Sequence, residues 1–307
     1  MTKTTCLRLG TVVAALFIFI LTTTPGSAAP VTFVASSGSD ANPCTRAQPC
    51  ATFFGAGGVT DPGGEVDCLD SGPYGGNVLF SKSITIDCPG GVYRPNFTGF
   101  SEGSGILRIR NLKIVGNGAA SGSSAIIAGT GSSVFVENCV IEQFTGPAVS
   151  IQLGAEVVIS DTLIVNNGGT GVSVNTSGSG AGSLVLTRVR VQNNGNGVLV
   201  RAGAADMHAS IEDSTITSNQ VNGVYSISTG AGRSLVLLKR SVVAHNGGAG
   251  VLSENANAFV FVSTTTITGN DVGWQSSAGG NVFTYDDNNV NLNRTSNGTP
   301  TGTANVQ

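Results

Sequence analysis

The sequence predicts an all-β solenoid, a right-handed parallel β-helix of about eight to ten rungs behind an N-terminal cap. Composition is the first reason: the 307 residues include 44 glycines but only 18 acidic and 15 basic side chains. Charged residues make up 11% of the chain, less than half the usual share of about 25%. This composition is typical of turn-rich β structure, and a net charge of -3 offers no basic footprint for nucleic acid.

The second reason is an internal repeat of 23 to 27 residues. Its anchor positions are Asn117, Phe144, Asn167, Asn194, Asn219, Asn246, Asn270 and Asn293. Three residues before the anchors stand Ile114, Ile141, Ile164, Val191, Ile216, Val243, Ile267 and Val290. Eight residues before them stand Ile109, Val136, Ile159, Leu186, Ile211, Leu238, Val262 and Tyr285. Ten residues before them stand Leu107, Val134, Val157, Leu184, Ala209, Val236, Val260 and Phe283. Because all of these side chains are apolar or aromatic, we expect them to stack in a continuous core.

Each repeat has the pattern of three short strands joined by turns. The positions ten and eight before an anchor are two apart, which is the alternation of a half-buried strand, and a second strand leads to the anchor. A third strand follows, often after a Gly-Val pair as at Gly197 and Gly223. Parallel rungs stack about 4.8 Å apart, and the general crossover preference predicts right-handed winding. A helical solenoid is excluded because the 3.6-residue period is missing.

The asparagine anchors have a structural explanation. At a tight bend between strands, asparagine tolerates left-handed backbone angles, and its amide can bond the same amide on adjacent rungs. We expect a structural ladder, with ligand binding as the minor alternative, formed by Asn117, Asn167, Asn194, Asn219, Asn246, Asn270 and Asn293. Phe144 interrupts this row. Cys139 shares its repeat position with small and apolar residues, which predicts an inert buried thiol.

Residues 1–29 have the pattern of a secretory signal peptide. Lys3 and Arg8 precede an apolar run from Thr11 to Leu21, and small residues follow up to Ala29. The run is shorter than the roughly 20 residues of a membrane-spanning helix, although an uncleaved anchor is the alternative. We therefore expect a secreted, periplasmic or cell-surface protein with no membrane span after removal of the signal.

Export to an oxidising compartment makes four cysteines disulfide candidates. Cys44 and Cys50 bracket a short loop, while Cys68 and Cys88 lie in matching contexts 20 residues apart, about one rung. Stacked Cα atoms about 4.8 Å apart fall within the range that a disulfide tolerates. Other pairings of the four stay open. A metal site is not expected, because no histidine clusters with them.

The repeats occupy residues 105–293, after a cap and first rungs in residues 30–104. Because the ends of a solenoid are open sheet edges, we expect residues 30–60 to cover the N-terminal end. A short helix over residues 51–59 is expected there, although its glycines weaken it. The tail, residues 294–307, is polar and rich in Gly and Thr, and we expect it to be only partly ordered.

Three N-terminal segments carry a family resemblance. They are FVASSGSDANPC at residues 33–44, PCATF at residues 49–53 and GGEVD at residues 63–67. Together with the repeats, which extend over most of the mature chain, they resemble bacterial secreted right-handed β-helix repeat proteins of the pectin-lyase-like superfamily. The resemblance implies the fold, export and contact with polysaccharide, and it implies no defined reaction. The glycine-rich capping segment departs from the more helical cap expected of that group.

The outward positions of the first strands offer little catalytic chemistry. Lyases and hydrolases of this fold need carboxylates on neighbouring rungs, as calcium ligands or as an acid–base pair. From Arg108 to Asp286, neither outward row places two acids on consecutive rungs. A further row alternates in sign and consists of Asp161, Arg188, Asp213 and Arg240. We expect an exposed ion-pair ladder there, with an acid-plus-arginine site as the alternative. No cofactor or catalytic residue is predicted, and the histidines His208 and His245 are expected in a surface loop and a turn.

Two surface rows suggest binding. An apolar stripe on the outer side of the first strands consists of Phe135, Val158, Val185, Leu237 and Phe261. On the third strands, Leu199, Tyr225 and Leu252 align beside Arg201, a combination that suits sugar rings. Loops folded over these rows are the alternative. The sequence favours an exported, non-catalytic scaffold that binds a glycan or protein and can form an oligomer; the rival hypothesis is a polysaccharide lyase or glycoside hydrolase.

Overall fold

The computed structural model describes residues 29–304 except for residues 97, 119–121, 153 and 177–179. The predicted signal peptide therefore lies outside the described residues apart from Ala29. The strands form two parallel sheets, one of 20 strands and one of nine, which we call the large sheet and the small sheet. Each complete rung contributes a first and a second strand to the large sheet and a third strand to the small sheet.

The first strands build one column of the large sheet. They are β1 (Ala29–Val34), β2 (Thr60–Cys68), β5 (Ile84–Arg94), β7 (Gly105–Val115), β9 (Ser132–Glu137), β12 (Glu156–Ser160), β15 (Gly182–Thr187), β18 (Met207–Glu212), β21 (Ser234–Lys239), β24 (Ala258–Ser263), β27 (Asn281–Thr284) and β29 (Gly302–Thr303). The strands β5 and β7 are long enough to continue into the second column, to which they pair at their C-terminal ends.

The second column of the large sheet and the small sheet contain shorter strands. The remaining strands of the second column are β3 (Tyr74–Gly75), β10 (Val140–Glu142), β13 (Leu163–Val165), β16 (Arg190–Gln192), β19 (Thr215–Thr217), β22 (Val242–Ala244), β25 (Thr266–Thr268) and β28 (Asn289–Asn291). The small sheet contains β4 (Val78–Phe80), β6 (Phe100–Glu102), β8 (Ile126–Ala128), β11 (Val149–Ile151), β14 (Val172–Thr176), β17 (Val198–Ala202), β20 (Val224–Ser228), β23 (Ala249–Glu254) and β26 (Val272–Ser277).

The core confirms the predicted stacking. Ile114 pairs in register with Ile141, and Ile141 pairs with Ile164. The same register continues through Val191, Ile216, Val243, Ile267 and Val290. The members from Ile114 to Ile267 are fully buried. Residues one repeat apart therefore lie on top of one another, and the all-β parallel β-helix predicted from the sequence is present.

The rung that begins with strand β27 differs from the prediction. Val282 and Thr284, not Phe283 and Tyr285, pair with the inward residues Val260 and Val262. The second strand keeps its predicted register, with Val290 beside Ile267. Four residues lie between Thr284 and the start of that strand, whereas three lie between Val262 and Thr266. The extra residue in the turn shifts the first strand by one position and turns the Phe283 ring outward.

The corners of the rungs use left-handed residues at two fixed positions. One precedes the second strand and is occupied by Asn111, Asn138, Asp161, Arg188, Asp213, Arg240, Thr264 and Asp286, all with positive φ. The other directly precedes the anchor, and it includes Asn166, Asn193, Ser218 and His245. The prediction that the anchor asparagines themselves adopt left-handed angles is therefore wrong, because the bend is made one residue earlier. His245 is a turn residue as expected, whereas His208 lies on strand β18.

At the N-terminal end, a helix packs against the first rungs. The helix α1 (Phe53–Val59) contacts strands β1, β2 and β4, and Thr52 caps its N-terminus by accepting a hydrogen bond from the Gly55 backbone N at 3.0 Å. The Phe53 ring is fully buried among Tyr74, Tyr93 and Phe100. No helix among the described residues is long and apolar enough to cross a bilayer.

Two disulfides hold this end together. Cys44 is bonded to Cys50 with a Cα–Cα distance of 4.6 Å, and Cys68 is bonded to Cys88 at 4.8 Å. The second bond joins stacked positions on neighbouring rungs, the distance expected from the rung spacing. Cys139 is a buried free thiol.

Candidate functional site

The asparagine row forms a hydrogen-bonded ladder inside the corner of the solenoid. The Asn167 Oδ1 accepts a hydrogen bond from the Phe144 backbone N at 3.0 Å. Each later Oδ1 accepts two hydrogen bonds from the previous asparagine, one from its backbone N and one from its Nδ2, at Asn194, Asn219, Asn246, Asn270 and Asn293. Each Nδ2 also donates to a backbone carbonyl of the preceding rung, for example Asn194 to Ile164 at 3.1 Å. Asn117 is exposed and donates instead to the Asn96 carbonyl at 2.8 Å. From Asn167 to Asn270 the ladder residues are buried and their amides bond to one another, which makes them poor candidates for ligand contacts.

The row of alternating charges forms exposed ion pairs. Arg188 donates two hydrogen bonds to the Asp161 carboxylate, at 2.7 and 2.6 Å. Arg240 contacts Asp213 at 2.8 Å and Glu212 at 2.7 Å. The arginine partners lower the pKa of Asp161 and Asp213. These carboxylates are held in the ionised form by their partners, so they are poor candidates for proton transfer.

The four predicted binding residues lie together on the outer side of the small sheet. Leu199 pairs in register with Tyr225, and Tyr225 pairs with Leu252. Arg201 lies two residues after Leu199 and shares its row with Ile227 and Glu254. All four predicted residues are half-buried. The structure adds Glu254, which the sequence reasoning missed, and we call Leu199, Arg201, Tyr225, Leu252 and Glu254 the tyrosine patch.

The chemistry of the tyrosine patch centres on its aromatic residue. The Tyr225 hydroxyl donates a hydrogen bond to the Glu254 carboxylate across one rung. Burial and the neighbouring Glu254 charge raise the pKa of Tyr225 to about 12, while the Arg201 charge lowers it. The hydroxyl therefore stays protonated at neutral pH. The patch offers an aromatic ring, a carboxylate acceptor and a guanidinium within three consecutive rungs.

A second cluster lies on the outer side of the large sheet in the first rungs. The outward row that contains Arg110 extends toward the N-terminus, where Asp67 pairs with Asp87 and Asp87 pairs with Arg110. The prediction that no two acids lie on consecutive rungs covered the row from Arg110 onward and did not include these earlier rungs, where Asp67 and Asp87 are neighbours. The sequence analysis began the outward rows at Arg108 and Arg110. The matching segments Val66-Asp67-Cys68 and Ile86-Asp87-Cys88 could have extended them, because their equal patterns indicate that Asp67 and Asp87 occupy the same position on two earlier rungs. We call Glu65, Asp67, Asp87 and Arg110 the acidic cluster.

Arg110 forms ion pairs with two of the three carboxyl groups in the acidic cluster. Arg110 contacts Glu65 at 3.2 Å and Asp87 at 3.1 Å. Burial and the adjacent Asp67 raise the pKa of Glu65, while Arg110 opposes this rise. A polar depression of about 540 Å³ adjoins the cluster and is lined by Asp87, Arg110, Asn111, Glu137, Asn138 and Asp161. Within the described part of the chain, no three histidine, cysteine or carboxylate side chains are arranged to hold a metal ion.

Glu102 is a buried carboxyl that sequence reasoning also missed. It is the last residue of strand β6, and its side chain is fully buried. The residues that pair with it on the neighbouring rungs, Phe80 and Ala128, are apolar, so they offer the carboxyl group no side-chain hydrogen bond. Its Oε1 accepts a hydrogen bond from the Ser104 backbone N at 2.9 Å, and its Oε2 has no partner. Burial raises the pKa of Glu102 to about 7. This side chain faces the core, so its titration bears on stability.

The apolar stripe is present on the outer side of the large sheet. Phe135, Val158, Val185, Leu237 and Phe261 are half-buried and in register, with Ser210 between Val185 and Leu237. Phe283 extends the stripe by one rung, and its ring stacks on that of Phe261 at 5.3 Å with 17° between the planes. Because these rings cover one another's faces, they present edges to the solvent.

Comparisons with known proteins agree with this architecture. A family profile described as "Right handed beta helix region" matches residues 73–210. The structure resembles that of a pectate lyase, Pel9A, at a TM-score of 0.62 and 15% identity, over 83% of this chain and 74% of the lyase. The chain is a right-handed parallel β-helix protein with the pectin-lyase-like fold.

Other solved structures resemble this β-helix protein more weakly. A rhamnogalacturonan lyase gives a TM-score of 0.46 at 13% identity, over 82% of this chain and 75% of that one. A GH136 lacto-N-biosidase from Eubacterium ramulus gives 0.39 at 10% identity, over 89% and 66%. No curated protein matches the sequence. At such identities the likeness concerns the fold alone.

Proposed function

We propose that this β-helix protein is an exported, non-catalytic scaffold that binds a glycan through the tyrosine patch. The observation that carries the proposal is the Tyr225–Glu254 hydrogen bond on the outer side of the small sheet, flanked by Leu199 and Leu252. A neutral tyrosine gives a sugar ring an amphipathic surface, apolar along the ring and polar at its tip. Glu254 accepts hydrogen bonds from sugar hydroxyls, and Arg201 donates to hydroxyl or carboxylate oxygens.

Export is part of the proposal because of the disulfides. Cys44–Cys50 and Cys68–Cys88 form and persist in the periplasm, at the cell surface or in the medium, and they are rare in reducing compartments. Polysaccharides are abundant in the same places, and one protein with a similar structure is a pectate lyase. Its activity is not carried over, since only the fold is shared.

The test is binding to a glycan array, followed by calorimetric titration of the best oligosaccharide. We expect Tyr225→Ala and Glu254→Gln each to weaken binding by about tenfold or more, because each removes one side of the hydrogen-bonded pair. Leu79→Ala is the matched control: Leu79 is 66% exposed on the same sheet, outside the patch, and its loss should leave affinity unchanged. Equal effects of all three variants, or an array without binding, contradict the proposal.

The acidic cluster favours a second function, a polysaccharide lyase or hydrolase. Glu65, whose pKa is raised, is the candidate acid, and Asp87 on the neighbouring rung, which contacts Arg110 at 3.1 Å, is the candidate second carboxyl group. The assay is incubation with a polyuronate panel, with absorbance of unsaturated products and reducing sugar as readouts. Turnover that survives stringent purification and disappears in Glu65→Gln and Asp87→Asn would establish this function. No turnover on the panel supports the scaffold.

A further inference from the structure

We propose that the outer face of the large sheet binds a second copy of this chain, giving an antiparallel dimer with a two-fold axis beside Val185. Three outward rows of the first strands form this face, and the sheet register fixes their order. The central row is Arg108, Phe135, Val158, Val185, Ser210, Leu237 and Phe261. The row on its N-terminal side is Ile106, Ser133, Glu156, Ser183, His208, Leu235 and Phe259. The row on its C-terminal side is Arg110, Glu137, Ser160, Thr187, Glu212, Lys239 and Ser263.

The central row suits a flat apolar partner better than a sugar. The Phe261 and Phe283 rings stack on each other, and Arg108 lies over the Phe135 ring at 4.3 Å from its centroid, so these ring faces are already covered. Shallow grooves of about 290 and 320 Å³ lie between the side chains along this face. Side chains of a facing sheet fill such grooves, since packed sheets interdigitate about 10 Å apart.

Charge complementarity selects the second copy. When the two-fold axis runs along the strand direction through Val185, each rung faces the rung equally far on the other side of that residue. Glu156 then faces His208 of the second copy, and Glu137 faces Lys239. In the central row Phe135 faces Leu237, and Val185 faces itself. By symmetry each pair occurs twice, so one face contains two Glu–Lys ion pairs and two Glu–His contacts around an apolar centre.

Neighbouring arrangements are worse. Moving the axis half a rung toward Val158 sets Glu137 against Glu212 and Arg110 against Lys239, which are like charges. Moving the axis half a rung toward Ser210 places Glu156 opposite the apolar Leu235, where its carboxylate has no partner of opposite charge. A parallel arrangement, with the axis along the solenoid, sets Arg108 against itself. The Val185 arrangement avoids all three, and such discrimination is what electrostatic complementarity provides at interfaces.

The dimer is independent of the proposed glycan site. The tyrosine patch lies on the small sheet, on strands β17, β20 and β23, whereas the dimer face uses the first strands of the large sheet. Two copies would therefore present two tyrosine patches, and loss of either property leaves the other measurable.

Charge reversal tests the arrangement without removing apolar surface. We expect the wild-type protein to sediment as a dimer in analytical ultracentrifugation. Glu137→Lys and Lys239→Glu should each raise the dimer dissociation constant by about tenfold or more, since each creates two like-charged pairs. The double variant should restore dimerisation. Each substitution is on the solvent side of a strand, and circular dichroism checks that the variants stay folded. A monomeric wild type at the highest soluble concentration, or a double variant no better than the singles, overturns the proposal.

Cross-linking tests the position of the axis. A thiol placed at Val185→Cys should join two copies through a short bismaleimide, because this position faces itself across sheets about 10 Å apart. The matched control is Phe261→Cys in the same row, which should not join two copies because it would face Arg108. The buried Cys139 thiol is present in both variants, so any cross-linking through it would be the same in both and would not affect the comparison. Efficient cross-linking through position 261 and not 185 contradicts this dimer and indicates another interface.

Discussion

Asn194 and Asn219, 25 residues apart in sequence, share two hydrogen bonds inside the solenoid. The Asn219 Oδ1 accepts from the Asn194 backbone N at 3.0 Å and from its Nδ2 at 3.2 Å. Asn219 in turn donates to Asn246 and to the Val191 carbonyl. One amide thus satisfies polar groups on both neighbouring rungs.

Removal of one amide from this ladder should be costly. We expect Asn219→Leu to lower the free energy of unfolding by about 3 kcal/mol or more, because it leaves several buried donors and acceptors without partners at about 1–3 kcal/mol each. Denaturant unfolding measures the loss. Asn117→Leu is the control at the same repeat position, where the side chain is exposed, and should cost about 1 kcal/mol or less. Equal losses of unfolding free energy in the two variants would mean that the hydrogen bonds of the ladder add no stability beyond that of an exposed asparagine.

Glu102 should make stability depend on pH. Its pKa is raised from 4.5 to about 7 by burial, so the folded state holds a proton that the unfolded state releases above pH 4.5. Its contribution is fully present below pH 4.5 and is lost as the pH rises to about 7. Glu102→Gln stays neutral, so it should gain about 2 kcal/mol relative to wild type between pH 4 and pH 8.

Unfolding titrations at several pH values measure this difference. Asp286→Asn, at an exposed site outside the proposed dimer face, is the control and should show no comparable change. A wild-type protein that loses stability relative to Glu102→Gln on acidification would reverse the sign and refute the assignment.

The two disulfides should differ in their effect on stability. Cys68–Cys88 closes a separation of 20 residues and Cys44–Cys50 a separation of six. In the chain-entropy account the longer loop contributes roughly 3 kcal/mol and the shorter one roughly 2 kcal/mol. Paired Cys→Ser variants, unfolded in denaturant, measure both. A larger loss for the Cys44/Cys50 pair would contradict this account.

The Cys139 thiol should be unreactive in the folded protein. Burial raises its pKa to about 12, and its Sγ lies 3.2 Å from the Glu137 carbonyl oxygen. Alkylation at pH 8 followed by mass spectrometry should leave Cys139 unmodified in native protein and modified after unfolding. Rapid modification of the native protein would place this thiol at the surface.

Stacked positions could be predicted from sequence because their chemistry repeats. Ile114, Ile141 and Ile164 occupy one buried file, and apolar residues recur at a constant offset from an anchor when successive rungs bury the same position. The same spacing made Cys68–Cys88 one of the candidate disulfides, with other pairings left open, and the structure contains this bond. In each case the prediction needed only the repeat length and the rung spacing.

Other features could not be predicted from the sequence, because they depend on single residues within a turn or at the end of a row. The additional residue before Asn289 shifts strand β27 by one position, and no apolar pattern marks such an insertion. Asp67 and Asp87 precede the first recognisable anchor, so their place in the acidic cluster became visible only with the register. Glu254 accepts a hydrogen bond from Tyr225 on the preceding rung, and this contact depends on the side-chain conformation, which the repeat pattern does not specify.

The most direct test of the central claim is a crystal structure of this protein with the oligosaccharide that binds best on the array. We predict that sugar density lies on the outer side of the small sheet, in contact with the Tyr225 ring and within hydrogen-bond distance of Glu254. Density confined to the acidic cluster or to the apolar stripe, with the tyrosine patch empty, would contradict the proposed function.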